Sequence, residues 1–208
     1  FLAEWKGLND VSPEAGAAAS SLSLASPSLP PLVAVTGTKG KSTCTSLTAH
    51  LMKGHHPGTR LGGNITISPL AFLDEMHPGD PVVLELSSFQ LGDLAFSRSH
   101  NGRPGVLLPS QVPRDVLFPT LPATAAVITN IFRDHQDYYT SMESYVADKR
   151  EIYSHLPSRS IVVLSGDNEW TPSFLEDLHR LKRPGQTRLV TTGDPMGSPV
   201  VTSRVWPG

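Results

Sequence analysis

Short apolar runs alternate along the chain with stretches of helical period. Leu32-Val33-Ala34-Val35-Thr36 is apolar and rich in β-branched residues, the pattern of a strand covered on both faces in a parallel sheet. Residues 81–86, 125–129 and 160–164 repeat it. Helical spacing marks residues 41–52, about 69–76, and 142–156 between these runs. Buried strands alternating with helices predict an α/β fold, a mostly parallel β-sheet flanked by helices. Ligands of such sheets sit at the carboxyl ends of the strands.

Outside these runs the pattern weakens. Residues 1–8 read as the end of a helix, and the Ser-, Ala- and Pro-rich stretch 11–31 reads as a linker that buries too little surface to offset its ordering entropy. The expected organisation is therefore a helix remnant and linker over 1–31, followed by one domain over 32–208. Residues 91–122 are rich in Pro, Gly, Ser and Arg and read as a long surface excursion with one short strand at 105–108. Residues 166–208 are expected to finish the sheet.

Composition narrows the picture. With 38% hydrophobic and 17% charged residues in 208, the chain can build a core, and no stretch is long and apolar enough to span a bilayer. A net charge of −2 gives no reason to expect nucleic acid or a membrane surface as partner. The chain begins at Phe1 rather than Met, which reads as a processed or excised piece, and its first residues carry no basic-then-apolar secretory pattern. Cys44 is the only cysteine, which excludes an internal disulfide and reads as a small core residue; the expected compartment is the cytoplasm.

The chemistry-bearing residues fall where the fold would gather a ligand. Gly37-Thr38-Lys39-Gly40-Lys41-Ser42-Thr43 follows the first strand and opens a helix. Small residues let backbone amides approach phosphate oxygens, and the helix N-terminus adds partial positive charge. Lys41 is placed to bridge terminal phosphates, and the Ser42 or Thr43 hydroxyl to hold Mg²⁺. This P-loop-like turn is shorter than G-x-x-x-x-G-K-[ST], since Gly37 stands only three positions before Gly40.

Glu85 ends the second apolar run; it is either a hard oxygen ligand for Mg²⁺ or an acceptor for backbone amides. Asn130-Ile131-Phe132-Arg133-Asp134-His135 closes the third, with Asp134 placed to orient the His135 ring. In the helix from Met142, the residues Met142, Tyr145, Val146, Ile152, Tyr153 and Leu156 share one face. Lys149 lies on that face too, so it must snorkel to water, pair, or lose its charge.

With these residues in hand, the chain resembles the Mur ligase family, through its central ATP-binding domain. The resemblance runs in order through residues 37–43, Gly62-Gly63-Asn64-Ile65, Glu85-Leu86-Ser87-Ser88-Phe89-Gln90-Leu91, Asn130 with Asp134-His135, and Tyr145-Val146-Ala147-Asp148-Lys149. The Glu85 run is similar to that of the member that adds D-glutamate to UDP-N-acetylmuramoyl-L-alanine. The resemblance implies ATP and Mg²⁺ as cofactors and those two molecules as partners, joined through an acyl phosphate in peptidoglycan precursor synthesis.

It also implies roles for single residues. Gly37 to Thr43 would cradle ATP, with Lys41 on the β- and γ-phosphates. Ser42 or Thr43 with Glu85 would hold one Mg²⁺, and His135 with a carbamylated Lys149 a second. Asn64, Ser87 and Gln90 would contact the muramoyl substrate, and flanking N- and C-terminal domains would complete the protein. The chain departs from the family pattern at Thr66, where Gly is usual, at Lys39, where Asn is common, and at Phe132-Arg133. Two other readings share part of this evidence: another ligase of the superfamily, including the folylpolyglutamate type, and a P-loop nucleotide-binding domain without ligation chemistry.

Overall fold

A computed structural model describes residues 31–65, 67–99, 121, 123–154, 156, 157, 160–181 and 187–190. The first apolar run forms strand β1, Leu32–Thr36, followed by helix α1, Lys41–Lys53, and strand β2, Arg60–Gly63. A 3-10 helix, Pro69–Glu75, leads to β3, Val82–Glu85, and α2, Ser88–Ser99. After β4, Ala125–Ile128, come α3, Met142–Ser154, then β5, Ile161–Ser165, α4, Thr171–Arg180, and β6, Thr187–Val190. The sheet has six strands in the order β2-β3-β1-β4-β5-β6, and every neighbouring pair is parallel.

The position of β1 explains its unbroken apolar sequence. It lies between β3 and β4, with Ala34 opposite both Leu84 and Ala126. Side chains alternate across a strand, and here both faces are covered. Leu32 and Ala34 join the larger core with Leu91 of α2, Tyr145, Val146, Ile152 and Tyr153 of α3, and Phe174 and Leu178 of α4. Val35 faces the other way, into a smaller core with Val83 and Ala49, against which Cys44 and Met52 of α1 pack. Cys44 is thus a packing residue, as its sequence context indicates, and burial pushes its thiol pKa up. Each fully buried aliphatic side chain of this kind contributes about 1.5–3 kcal/mol by leaving water.

The predicted α/β architecture holds, but the excursion expected from residue 91 onward does not begin there. Residues 88–99 are helical, because Ser87 and Gln90 cap the helix and Leu91 with Leu94 packs it on the core. Gly92 and the serines dilute the apolar period, so the segment carries no strong moment in sequence. Strand β2 was also missed: Arg60-Leu61-Gly62-Gly63 is poor strand sequence, and its place is fixed by the β3 edge. Residues 69–75 form a 3-10 rather than an α-helix, with Pro69 at its start and the Ser68 hydroxyl accepting from the Leu70 N–H. The expected completion of the sheet after residue 166 is met by α4 and β6.

The expectations for residues 1–8 and 11–30, for the strand at 105–108 and for Thr66 lie outside the described residues. Among the described residues, no helix is long and apolar enough to cross a membrane.

Candidate phosphate-binding site

The carboxyl end of β1 turns into α1 through Gly37 to Gly40, and both glycines are required by geometry. Gly37 has φ +139°, and a β-carbon there would stand 2.0 Å from Thr129 Oγ1 and 3.0 Å from the Asn130 carbonyl oxygen. Gly40, with φ 77°, is the left-handed N-cap of α1. Between them Thr38 is buried. Its N–H donates to Asn130 O at 2.8 Å, and its hydroxyl lies 3.0 Å from the Tyr145 hydroxyl and accepts from Phe132 N–H at 3.0 Å. Helix geometry leaves the N–H groups of residues 41–43 without intrahelical partners at this end. Ser42 and Thr43 are exposed there.

Two lysines converge on the loop's carbonyls. Lys41 Nζ donates to Thr38 O at 2.9 Å. Lys149, only 2% exposed, reaches from α3 and donates to Gly37 O at 2.9 Å, with Thr36 Oγ1 at 3.5 Å. The Tyr145 ring lies beneath its amine, 4.7 Å from Nζ to centroid. Burial above all, helped by the nearby Lys41 charge and opposed by Asp134 and Asp148, lowers the Lys149 pKa to about 7. The inward orientation read from helical spacing is therefore what the fold adopts, and snorkelling is not.

On the other side of β1, Glu85 pairs in register with Val35 and with Gly63. Its carboxylate is buried. Oε1 accepts from Asn64 Nδ2 at 3.0 Å, while Oε2 is buried with no hydrogen-bond partner. Asn64 N–H also donates to the Glu85 carbonyl at 2.9 Å. A buried carboxylate oxygen left unpaired is costly in isolation and suits a cation. Among the described residues no group of three or more His, Cys, Asp or Glu gathers, so a cation here would draw its remaining ligands from hydroxyls, phosphate oxygens or water.

Ser87 and Gln90 lie just beyond, and their side chains serve the start of α2. Ser87 N–H and Oγ both donate to Gln90 Oε1, at 2.9 and 3.2 Å, and Gln90 N–H donates back to Ser87 Oγ at 3.2 Å. This is a capping box. It leaves Phe89 partly exposed against the His135 ring, with centroids 5.1 Å apart.

His135 is exposed and has φ 50°, rare for a non-glycine residue. Asp134 accepts from the His135 backbone N–H at 3.1 Å, and its other oxygen lies 3.8 Å from Nε2. The Tyr145 ring, which carries Lys149, is 6.2 Å from the His135 ring. Loop 37–40, Lys41, Lys149 and His135 thus gather around Thr38 and Tyr145, while Glu85 and Asn64 border the loop across β1.

Sequence reasoning assigned no role to Asn130 or Tyr145, both of which brace the loop. A polar residue directly after an apolar strand was the available signal for Asn130. For Tyr145 it was a hydroxyl one turn before Lys149 on the same helix face.

Comparison with known proteins meets this geometry. Residues 113–193 match the Mur ligase middle domain. The chain is 38% identical over 146 residues to the UDP-N-acetylmuramoylalanine–D-glutamate ligase of Treponema pallidum, which spans 69% of this chain and 25% of that protein. The chain is similar to the Mur ligases, through their middle domain.

A second relative in the family, the enzyme of the same name from Caulobacter vibrioides, is 34% identical over 154 residues, 74% of this chain and 27% of its own length. The chain spans about a quarter of the length of the curated relatives it matches. The fold also resembles Mur ligases of known structure. A UDP-N-acetylmuramoyl-L-alanyl-D-glutamate–2,6-diaminopimelate ligase aligns over 81% of this chain and 33% of its own, at 18% identity and TM-score 0.53. MurF from Acinetobacter baumannii aligns over 81% and 32%, at 16% identity and TM-score 0.54.

Proposed function

We propose that the chain is the ATP-binding part of a ligase that joins D-glutamate to UDP-N-acetylmuramoyl-L-alanine in peptidoglycan precursor synthesis. The relatives that carry that name support the reaction. The observation that carries the site is the convergence of Lys41 and Lys149, from different helices, on carbonyls of one Gly-bounded loop.

In this reading the substrate carboxylate attacks the γ-phosphorus of ATP, the bond to the β-phosphate oxygen breaks, and ADP leaves. The amine of D-glutamate then attacks the acyl carbon of the acyl phosphate, losing a proton as phosphate departs. Two anions must meet in the first step, so the protein's task is charge neutralisation and alignment. Residues Gly37 to Thr43 receive the phosphates, with the Lys41 ammonium swinging from Thr38 O to the β- and γ-phosphate oxygens. Glu85 with Ser42 or Thr43 would hold one Mg²⁺, and its unpartnered Oε2 fits that role. Bound there, the ion would offset phosphate charge while the carboxylate approaches.

Lys149 is proposed to serve as a carbamate that, with His135, would hold a second Mg²⁺. Its pKa of about 7 keeps a free amine available at neutral pH, and addition of that amine to CO₂ releases a proton and leaves an anionic oxygen ligand. Asn64, Ser87 and Gln90 border the substrate side. Flanking domains on both sides of residues 32–208 would supply the nucleotide-sugar and amino-acid sites, and the cytoplasm is the compartment this reading expects.

The test is phosphate release by a protein carrying this chain at the full length of its relatives. Release that requires both UDP-N-acetylmuramoyl-L-alanine and D-glutamate is expected. Turnover with a different amino acid would move the chain to another ligase of the family, and nucleotide binding without turnover would favour the binding domain.

A further inference from the structure

The backbone of the loop between Gly37 and Gly40 is held by neither helix nor strand, so its polar groups must be satisfied from outside. Asn130, at the carboxyl end of β4, makes three bonds to it, beside those of Lys41, Lys149 and the Thr129 hydroxyl, which donates to the Lys39 carbonyl at 2.8 Å. Its Oδ1 accepts the Lys39 N–H at 2.8 Å, its Nδ2 donates to the Lys39 carbonyl at 3.0 Å, and its own carbonyl accepts the Thr38 N–H at 2.8 Å. A carboxamide is the side-chain group that pairs with both halves of a peptide in this way. The arrangement also decides which amides a phosphate can reach. The N–H groups of residues 38 and 39 are consumed, which leaves those from the start of α1 facing outward.

The residue that follows Asn130 is secured from the far side. Asn168, buried in the turn after β5, donates from Nδ2 to the Ile131 carbonyl at 3.0 Å and accepts the Trp170 N–H at 3.2 Å. Thr38 Oγ1, receiving the Phe132 N–H, ties the next residue of the same segment to the loop. The turn after β5 therefore holds Ile131, whose chain neighbours Asn130 and Phe132 are the residues bonded to the loop.

We propose that Asn130 is a positioning residue that sets the loop's shape for phosphate, and that Asn168 acts through it from two strands away. The proposal rests on the phosphate reading of the loop and adds to it a residue and a route. Neither asparagine touches ligand in this account. A role in stability alone would lower the unfolding midpoint and leave the affinity of the folded chain unchanged.

The experiment is titration of the full chain with MgADP, well below the unfolding midpoint, for the parent, Asn130→Ala, Asn168→Ala and the double variant. Loss of the two side-chain bonds predicts about tenfold weaker binding for Asn130→Ala. Asn168→Ala weakens it in the same direction but less, and the double variant binds no worse than Asn130→Ala, the non-additivity of residues acting in series. Should Asn130→Ala fail to fold, Asn130→Asp decides. It keeps the acceptor, turns the donor into a second oxygen against the Lys39 carbonyl, and is expected to bind more weakly still. Parent-like affinity in a folded Asn130 variant overturns the proposal, and fully additive losses overturn the route through Asn168. A parent chain that binds no MgADP overturns the phosphate reading and this proposal with it.

Discussion

Lys149 Nζ donates to the Gly37 carbonyl oxygen at 2.9 Å, across 112 residues of sequence. A helix packed on the far side of the sheet thus supplies a buried amine to the first peptide of the turn after β1. The bond joins the packing of α3 directly to the site, because the face that buries Tyr145, Ile152 and Tyr153 is the face that aims Lys149.

That burial has a pH signature. The Lys149 pKa falls from 10.5 to about 7 on folding, so between those values the unfolded chain binds a proton that the folded chain does not. The stability linked to this group is present in full above the unfolded value, declines as pH falls, and levels off below about 7. Parent stability should rise between pH 7 and 9 relative to Lys149→Met, which has no amine to titrate. Urea unfolding of both across that range checks it, and parallel profiles would refute the buried neutral amine.

Glu85 supplies a second test. Its Oε2 is buried without a hydrogen-bond partner, which disfavours the folded state unless a cation binds. Glu85→Gln should keep or raise the unfolding midpoint in the absence of metal while weakening nucleotide binding at least tenfold when Mg²⁺ is present. Calorimetry with and without Mg²⁺ separates the effects. Equal Mg²⁺ enhancement in parent and variant would remove Glu85 from the proposed Mg²⁺ ligands.

Ser87 has an evident structural duty as the N-cap of α2, bonded reciprocally to Gln90. Ser87→Ala should cost about 1 kcal/mol, and Ser87→Thr should restore most of it. Thermal unfolding of the two variants gives the answer. If Ser87→Ala leaves the midpoint unchanged, the capping box contributes nothing and a purely substrate-facing role gains ground.

What the sequence disclosed and what it hid follow from where each signal lay. The central strands were legible because β1 is covered on both faces, which forces an unbroken apolar run. Lys149 was legible because helical spacing alone placed it among buried neighbours. Strand β2 was hidden because its Gly62-Gly63 end serves close approach, a β-carbon on Gly63 falling 2.1 Å from the Glu85 carbonyl oxygen. Helix α2 was hidden by Gly92, whose missing side chain makes room for the Asp148 carboxylate, 2.5 Å from where its β-carbon would be. Its start could have been read from Ser87 and Gln90, three apart as a capping box requires. The orphaned oxygen of Glu85 and the grip of Asn130 on Lys39 depend on atoms brought together across the sheet, which no spacing along the chain encodes.

Residues 37–43 are the proposed phosphate site, and titration of the folded chain with MgATP, parent against Lys41→Ala, tests that directly. Lys41 Nζ now rests on Thr38 O at 2.9 Å, on the loop itself, so its removal strips charge from the site without emptying the core. Saturable binding by the parent is expected, with a loss of at least tenfold in Lys41→Ala, the scale of a charge-assisted contact of about 1.5–3 kcal/mol. Equal affinity in the two proteins, or no binding by a folded parent, would contradict it.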